Sequence, residues 1–225
     1  MPNPVTNATL DALRQIDTPT IANAIEPFDV RSNTEGFMGW DIGCMFPELG
    51  VMVGFAVTAT LDTVTHGRVH DSGPRLEFFE AIEDSPKPAV IVLKDVGPRR
   101  SHGCHFGDGL ATVSKKLGAI GLVTDAGVRD VETVREMGFH YFAPGMVPAH
   151  GNFGFLEAQV PVEVSGVVVN PGDIIHADAN GVVTIPAEIA SHVIEEAARI
   201  HDRESAQMAW VNSVEFSLDA LRRRG

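Results

Sequence analysis

The chain has 225 residues, 44 % of them hydrophobic and 21 % charged, with a formal charge of −13 at pH 7. That length predicts one domain over 1–225, of the α/β class from the alternation of its predicted elements, and that balance suits a chain that buries a core rather than one that stays disordered. The negative field repels phosphate backbones and anionic bilayers, so neither nucleic acid nor membrane is an expected partner, and an anionic substrate has to be captured by local groups.

The two cysteines, Cys44 and Cys104, have no CxxC spacing. This argues against a disulfide framework or zinc ribbon and points to a reducing cytoplasm. The opening MPNPVTNATLDALRQ lacks the basic and apolar regions of a leader, and no run approaches the ~18 apolar residues of a membrane span. A soluble, cytoplasmic protein is expected.

In chain order, Thr6 or Asn7 caps a short helix through Gln15, and Thr18 before Pro19 reads as an N-cap with proline in the first helical position. Asp29 to Gly54 mixes glycines, Pro47, Trp40 and phenylalanines, which predicts a long irregular segment. VMVGFAVTATL and AVIVLKDV are rich in β-branched residues and read as strands, with an amphipathic helix around LEFFEAI between them. A helix near Gly109 to Lys116, a strand at GLVTD, a helix at VETVREM and a strand at FHYFAP continue the alternation.

After Gln159 three or four antiparallel strands are predicted. Asn170-Pro171-Gly172-Asp173 has type II turn chemistry, and Asn180-Gly181 has hairpin chemistry. A long helix over about 187–210 follows, with Ile189, Val193, Ala197 and Ile200 in one apolar stripe.

The chemistry concentrates in GDGLATVSKKLGAIGLVTDAGVRD, from Gly107 to Asp130. Asp108 sits where a turn feeds a helix, so the N–H groups of Gly109, Leu110 and Ala111 are expected to point outward and favour an anion. Twenty residues separate Asp108 from Arg129, about what one helix and one strand need to return to the same edge. Arg129 offers a rigid fork for a carboxylate. Asp108 and Asp130 offer hard oxygens that suit Mg2+ or Mn2+ better than zinc. Such a cation beside an arginine suits a 2-oxo acid, whose enolate a Lewis acid stabilises. On residue types alone, a structural salt bridge or helix cap accounts for the same pattern.

GLVTDAGVRDVETV, FAPGMVPAHG and SGVVVNPGDIIHADANGVVTIP resemble the family that groups 4-hydroxy-4-methyl-2-oxoglutarate aldolases with the regulator of ribonuclease E activity A, over about Leu10 to Ile200. The most specific element is an acid, twenty intervening residues and Arg-Asp, matched here by Asp108, Arg129 and Asp130. The resemblance implies a swivelling β/β/α-type three-layer fold with a long C-terminal helix at a subunit interface, assembled as a homotrimer or homohexamer.

It also implies a metal-dependent pyruvate aldolase acting on a 4-hydroxy-2-oxo acid, with oxaloacetate decarboxylase activity. Asp130 is then the direct metal ligand, Asp108 holds metal-bound waters, and Arg129 with the Gly109 and Leu110 amides orients the pyruvyl half. Arg129 also positions the water that protonates the enolate. A carboxylate from a neighbouring subunit completes the set, and Glu204 is assigned to it, with Glu195 and Glu196 as rivals. The alternatives are a non-catalytic, protein-binding ring of the ribonuclease-regulator type and a related lyase acting on another 2-oxo acid or sugar acid. HGRVHDSGPRLEFF and GFMGWDIGCMFPELG depart from the aldolase pattern, and both are expected to line the distal half of the cleft.

Other residues receive blander readings. His66 and His70 have helical ligand spacing, but Gly67 and Gly73 argue against a helix there. His102, Cys104 and His105 are too crowded to share one ion and read as a cleft-lining loop. His150 faces the site or is a structural histidine. His176 and Asp178 read as local hydrogen bonding and Asp173 as turn chemistry. Met146, Phe153 and Phe155 read as packing. No flavin, nicotinamide or pyridoxal signature is expected.

Overall fold

The computed structural model describes residues 5–63 and 72–224. Two short helices, α1 (Asn7–Leu13) and α2 (Thr18–Ile25), open it. The Thr6 hydroxyl accepts the Thr9 N–H at 3.2 Å to start α1. The cap of α2 is Asp17, whose Oδ1 accepts the Thr20 N–H at 3.0 Å. Thr18 is therefore the first helical residue and not the cap, because the aspartate one step earlier already reaches the third amide.

There follow β1 (Gly43–Cys44), β2 (Met52–Asp62), α3 (Gly73–Asp84), β3 (Ala89–Asp95), β4 (Cys104–Phe106), α4 (Asp108–Lys116), β5 (Ala119–Thr124), β6 (Gly127–Val128), α5 (Val131–Glu136) and β7 (His140–Ala143). Then come β8 (Gly154–Ala158), β9 (Val162–Val164), β10 (Val167–Val169), β11 (Ile174–Asp178), β12 (Gly181–Ile185), α6 (Ala190–Val211) and α7 (Leu218–Arg224).

The main sheet runs β1-β7-β5-β3-β2-β11-β12, with β8 also on β2. Strands β7, β5, β3 and β2 are parallel, and the outer pairings are antiparallel. One edge of β2 serves two partners: β11 pairs with its first half and β8 with its second. Val53 and Phe55 face α1, α2 and α6, while Val57, Ala59 and Leu61 pack with Phe78, Ile82 and Val134 of α3 and α5. The opposite face, with Met52, Ala56, Val90 and Val123, is covered by valines of the β9–β10 hairpin. Covered on both sides, β2 reads as an unbroken apolar run, without the alternation of a half-exposed strand. The result is a β/β/α layering: hairpin, main sheet, helices.

The hairpin β9–β10 turns through Ser165 and Gly166 at φ 47° and 82°, a pairing typical of type I′ turns. The β11–β12 register pairs Asp178 with Gly181, so its turn residues are Ala179 and Asn180, one position earlier than the Asn-Gly signal suggested. The segment 170–173 turns as expected, with Gly172 at φ 86° and the Asp173 carboxylate accepting the Asn170 N–H at 2.8 Å.

Asp178 bonds locally as expected, its Oδ1 accepting the Asn180 N–H at 2.7 Å, but it and His176 also make long-range bonds beyond that expectation. Thr18 Oγ1 lies 3.0 Å from His176 Nδ1, the Leu13 carbonyl 3.1 Å from Nε2, and the Thr18 N–H donates to Asp178 Oδ2 at 2.9 Å. These bonds tie the α1–α2 corner to β11. Ala190, Val193, Ala197 and Ile200 bury one stripe of α6, and the residues of this helix after Ile200 are largely exposed. No helix among the described residues is long and apolar enough to cross a membrane.

Candidate functional site

Strands β4 and β6 form a two-stranded parallel ribbon apart from the main sheet, pairing Cys104 with Gly127 and Phe106 with Val128. Both strands run the same way, so the residues that follow them emerge side by side. Gly107 and Asp108 leave β4, and Arg129 and Asp130 leave β6. The Arg129 N–H donates to the Phe106 carbonyl at 3.1 Å, which closes the pair. Phe106 is fixed from below by Phe139 at 6.0 Å and Tyr141 at 6.1 Å between ring centroids.

Asp130 takes a left-handed backbone, φ 54° and ψ 36°, at the N-cap of α5, yet its side chain caps nothing. Its Oδ2 instead accepts the Asp108 N–H at 3.2 Å and lies 3.3 Å from Arg129 Nε. A Cβ on Gly107 would meet that Oδ2 at 2.4 Å, so only glycine admits this carboxylate. The amides at the start of α4 differ from expectation. The Gly109 N–H is taken by Asp108 Oδ1 at 2.7 Å and the Ala111 N–H by the Gly107 carbonyl at 3.0 Å, which leaves Leu110 as the open donor among the described residues.

Beside Asp130, which is not part of its lining, lies a cleft of about 390 Å³, within the ~300–1,000 Å³ of small-molecule sites. Asp108, Gly109, Leu110 and Arg129 line it, as do Cys104, His105, Arg75, Phe79, His150 and Phe153. Burial lowers the pKa of His105 to about 3 and raises the Cys104 thiol to about 11, so both groups are neutral near pH 7. His105 Nε2 lies 3.2 Å from Thr124 Oγ1, and its buried Nδ1 has no partner among the described residues. Burial, reinforced by the nearby Cys104, Asp130 and Asp108, also pushes the Tyr141 phenol upward. His102 lies outside the lining, in an exposed turn. Phe153 lines the cleft where packing was expected, Met146 is exposed, and Phe155 packs on Phe78 at 4.7 Å.

The model for the RraA-like family, described as Aldolase/RraA, matches residues 18–184. The chain belongs to the RraA-like family. It is 40 % identical over 122 residues to an uncharacterized protein of Methanocaldococcus jannaschii, covering 52 % of this chain and 57 % of that one. It is 30 % identical over 129 residues to a protein of Halalkalibacterium halodurans named as a candidate 4-hydroxy-4-methyl-2-oxoglutarate aldolase, covering 57 % of this chain and 60 % of that one. The match thus spans less than two thirds of either curated relative.

Two solved structures share the fold. An uncharacterized protein from Pseudomonas syringae pv. tomato aligns with a TM-score of 0.77 at 23 % identity, covering 99 % of this chain and 96 % of that one. Streptomyces coelicolor RraAS2, described as an unusual member of the RNase ES inhibitor RraA protein family, aligns at 0.74 and 22 % identity, covering 91 % and 98 %.

In this RraA-like chain the donor set near Arg129 is two carboxylates, and no group of three or more His, Cys, Asp or Glu side chains among the described residues is arranged to hold a metal. Asp130 Oδ1 and Asp108 Oδ2 take no hydrogen bond from the described residues. Two hard-oxygen donors fit Mg2+ or Mn2+, which keep several waters, and do not fit zinc or a soft ion. Glu204, Glu195 and Glu196 all lie on α6, Glu204 and Glu195 exposed and Glu196 paired with Arg199 at 3.1 Å. None of them joins Asp108 and Asp130 within the chain. His66 and His70 lie outside the described residues.

Sequence reasoning missed the cluster behind the ribbon. The Asp125 side chain, 2 % exposed, holds Lys94 at 2.8 Å and Arg100 at 3.0 Å on Oδ2, and Oδ1 accepts the Asp95 N–H at 2.9 Å. Asp95 in turn accepts the Gly97 N–H at 2.7 Å and the Thr63 hydroxyl. The available signal was charge at the carboxyl ends of two predicted strands, where α/β sheets gather polar groups.

Proposed function

We propose that this chain is a divalent-metal-dependent carbon–carbon lyase: a pyruvate aldolase acting on a 4-hydroxy-2-oxo acid such as 4-hydroxy-4-methyl-2-oxoglutarate, and an oxaloacetate decarboxylase. The observation that carries the reading is Asp130. Its backbone is strained, and its carboxylate is withheld from capping its own helix and held against the Asp108 amide and Arg129, two residues that line the cleft. The name carried by the Halalkalibacterium halodurans relative points the same way.

Asp130 and Asp108 are the groups that would hold Mg2+ or Mn2+, with Glu204 of a neighbouring copy in a homotrimer or homohexamer as the third carboxylate. When bound, the cation supplies Lewis-acid stabilisation of the enolate that forms as the C3–C4 bond breaks. The residues of the chain do the rest. Arg129 turns its guanidinium to the substrate carboxylate, the open Leu110 amide adds a second donor, and both fix the plane of the 2-oxo acid. Asp108, exposed at the mouth, orients the water that takes the 4-hydroxyl proton. Arg129 orients the water that returns a proton to C3. In oxaloacetate the bond that breaks releases CO2, and the same enolate forms.

The test is a coupled pyruvate assay with Mg2+ on 4-hydroxy-4-methyl-2-oxoglutarate and on oxaloacetate. Asp130→Ala and Asp108→Ala are each expected to lower turnover of both substrates at least a hundredfold. Full metal-dependent turnover in either variant would remove the assignment. Calorimetry with Mg2+ and pyruvate separates this reading from a purely protein-binding role, which has no use for either ligand.

A further inference from the structure

The cleft is larger than a pyruvyl unit needs, and part of its lining, Arg75 and Phe79, comes from a segment that departs from the family pattern. Arg75, in the first turn of α3, lines the same cleft as Asp108 and Arg129. Six arginines carry carboxylate partners among the described residues: Arg14, Arg100, Arg129, Arg135, Arg199 and Arg222. Arg75 makes no ion pair among the described residues. Its guanidinium instead lies 5.8 Å from the centroid of Phe79, itself a cleft wall. A ring face steadies a guanidinium without consuming its hydrogen-bond donors.

A second cavity of about 320 Å³ adjoins the cleft and shares Arg75, His150 and Phe153 with it. Arg75 therefore stands where two volumes meet, with aromatic rings on the approach. An arginine with no ion pair among the described residues, backed by an aromatic ring in a chain of charge −13, is an anion reader, because the surrounding field otherwise repels the ligand.

We infer that Arg75 is a specificity-determining residue: it binds the far carboxylate of a dicarboxylic 2-oxo acid, while Phe79 and Phe153 flank the carbon chain between the two acid groups. This rests on reading the Asp108–Arg129–Asp130 end as the seat of the 2-oxo carboxylate. Monocarboxylic 2-oxo acids of equal length then lose one end of their recognition.

The test is calorimetry on the full chain in Mg2+, with 2-oxoglutarate against 2-oxopentanoate, neither of which carries the 4-hydroxyl needed for cleavage. The intact protein is expected to bind 2-oxoglutarate at least tenfold tighter. Arg75→Gln is expected to erase that ratio by weakening 2-oxoglutarate alone, with 2-oxopentanoate within twofold and the melting temperature unchanged. Arg75→Lys should restore part of it. A preference that survives Arg75→Gln, equal affinities in the intact protein, equal losses for both ligands, or no binding of either would each overturn the inference. Arg75-dependent preference without pyruvate release from any 4-hydroxy-2-oxo acid would sink the aldolase reading and leave this one standing.

Discussion

Asp130 carries a backbone cost that nothing in the packing of α5 demands. A non-glycine residue at φ 54° stores on the order of 1 kcal/mol, less for Asp than for a residue without a short polar side chain. An N-cap aspartate ordinarily recovers energy by accepting a helix amide, and this one faces Arg129 and the Asp108 amide instead. Strain of this kind separates stability from activity. Asp130→Gly is expected to melt no lower than the parent and Asp130→Ala to melt lower by about 1 kcal/mol of stability, while both lose Mg2+-dependent pyruvate release. Paired thermal melts and activity assays check the ordering. Gly107 supplies the complementary case: Gly107→Ala puts a methyl group 2.4 Å from Asp130 Oδ2. It should displace that carboxylate, with at least a tenfold loss of turnover and a smaller loss of stability, read on the same two instruments.

The β4–β6 ribbon converts a sequence spacing into a site, and its legibility was uneven. The twenty-residue interval from Asp108 to Arg129 pointed correctly to a return to one edge. The ribbon itself, three residues pairing with two, was too short to leave a periodic signal. Helices α3, α4 and α5 and the long strands were legible because their apolar spacing is set by burial. The α2 cap slipped by one residue because Asp17 and Thr18 both have capping chemistry, and the β11–β12 turn slipped because strand register, which pairs Asp178 with Gly181, set it.

Asp125 was invisible for a similar reason, since its partners Lys94 and Arg100 lie on other elements. It anchors the start of the connection that carries Arg129 and Asp130. Asp125→Asn would leave the half-buried Lys94 without a full counter-charge, and loss of one member of a buried pair costs ~3–5 kcal/mol. A loss near the low end of that range is expected in urea unfolding, because Glu163 still reaches Lys94 at 3.3 Å and Arg100 is partly exposed. An unchanged midpoint would show that the cluster does not hold the connection.

At the scale of the molecule, the burial of three histidines sets how stability varies with pH. Burial depresses His105 to about 3 and His140 to about 4, with Arg14 adding to the effect on His140, and burial likewise lowers His176 despite its bond to the Leu13 carbonyl. In the unfolded chain each returns to about 6.5. Between these values the unfolded state binds the extra protons, so the stabilisation is complete above pH 6.5 and is lost as pH falls below it. At pH 5.5 His105 and His140 are each expected to have cost about 1 kcal/mol relative to neutral pH, and His176 acts in the same direction.

Two carboxylates act lower down. Burial works to raise Asp178, but the Thr18 and Asn180 hydrogen bonds outweigh it and hold it below the ordinary range, so its contribution disappears only as pH falls below about 4. Burial raises Asp95, which offsets part of the loss near that range. Urea midpoints should therefore fall between pH 7.5 and 5.5. His105→Gln isolates the cause. It removes a fully buried imidazole, so its midpoint should be lower than the parent's at pH 7.5, and the further drop on going to pH 5.5 should be smaller by about 1 kcal/mol. Equal drops in parent and variant would mean that His105 gains a proton in the folded state as easily as in water, which its burial against Thr124 forbids.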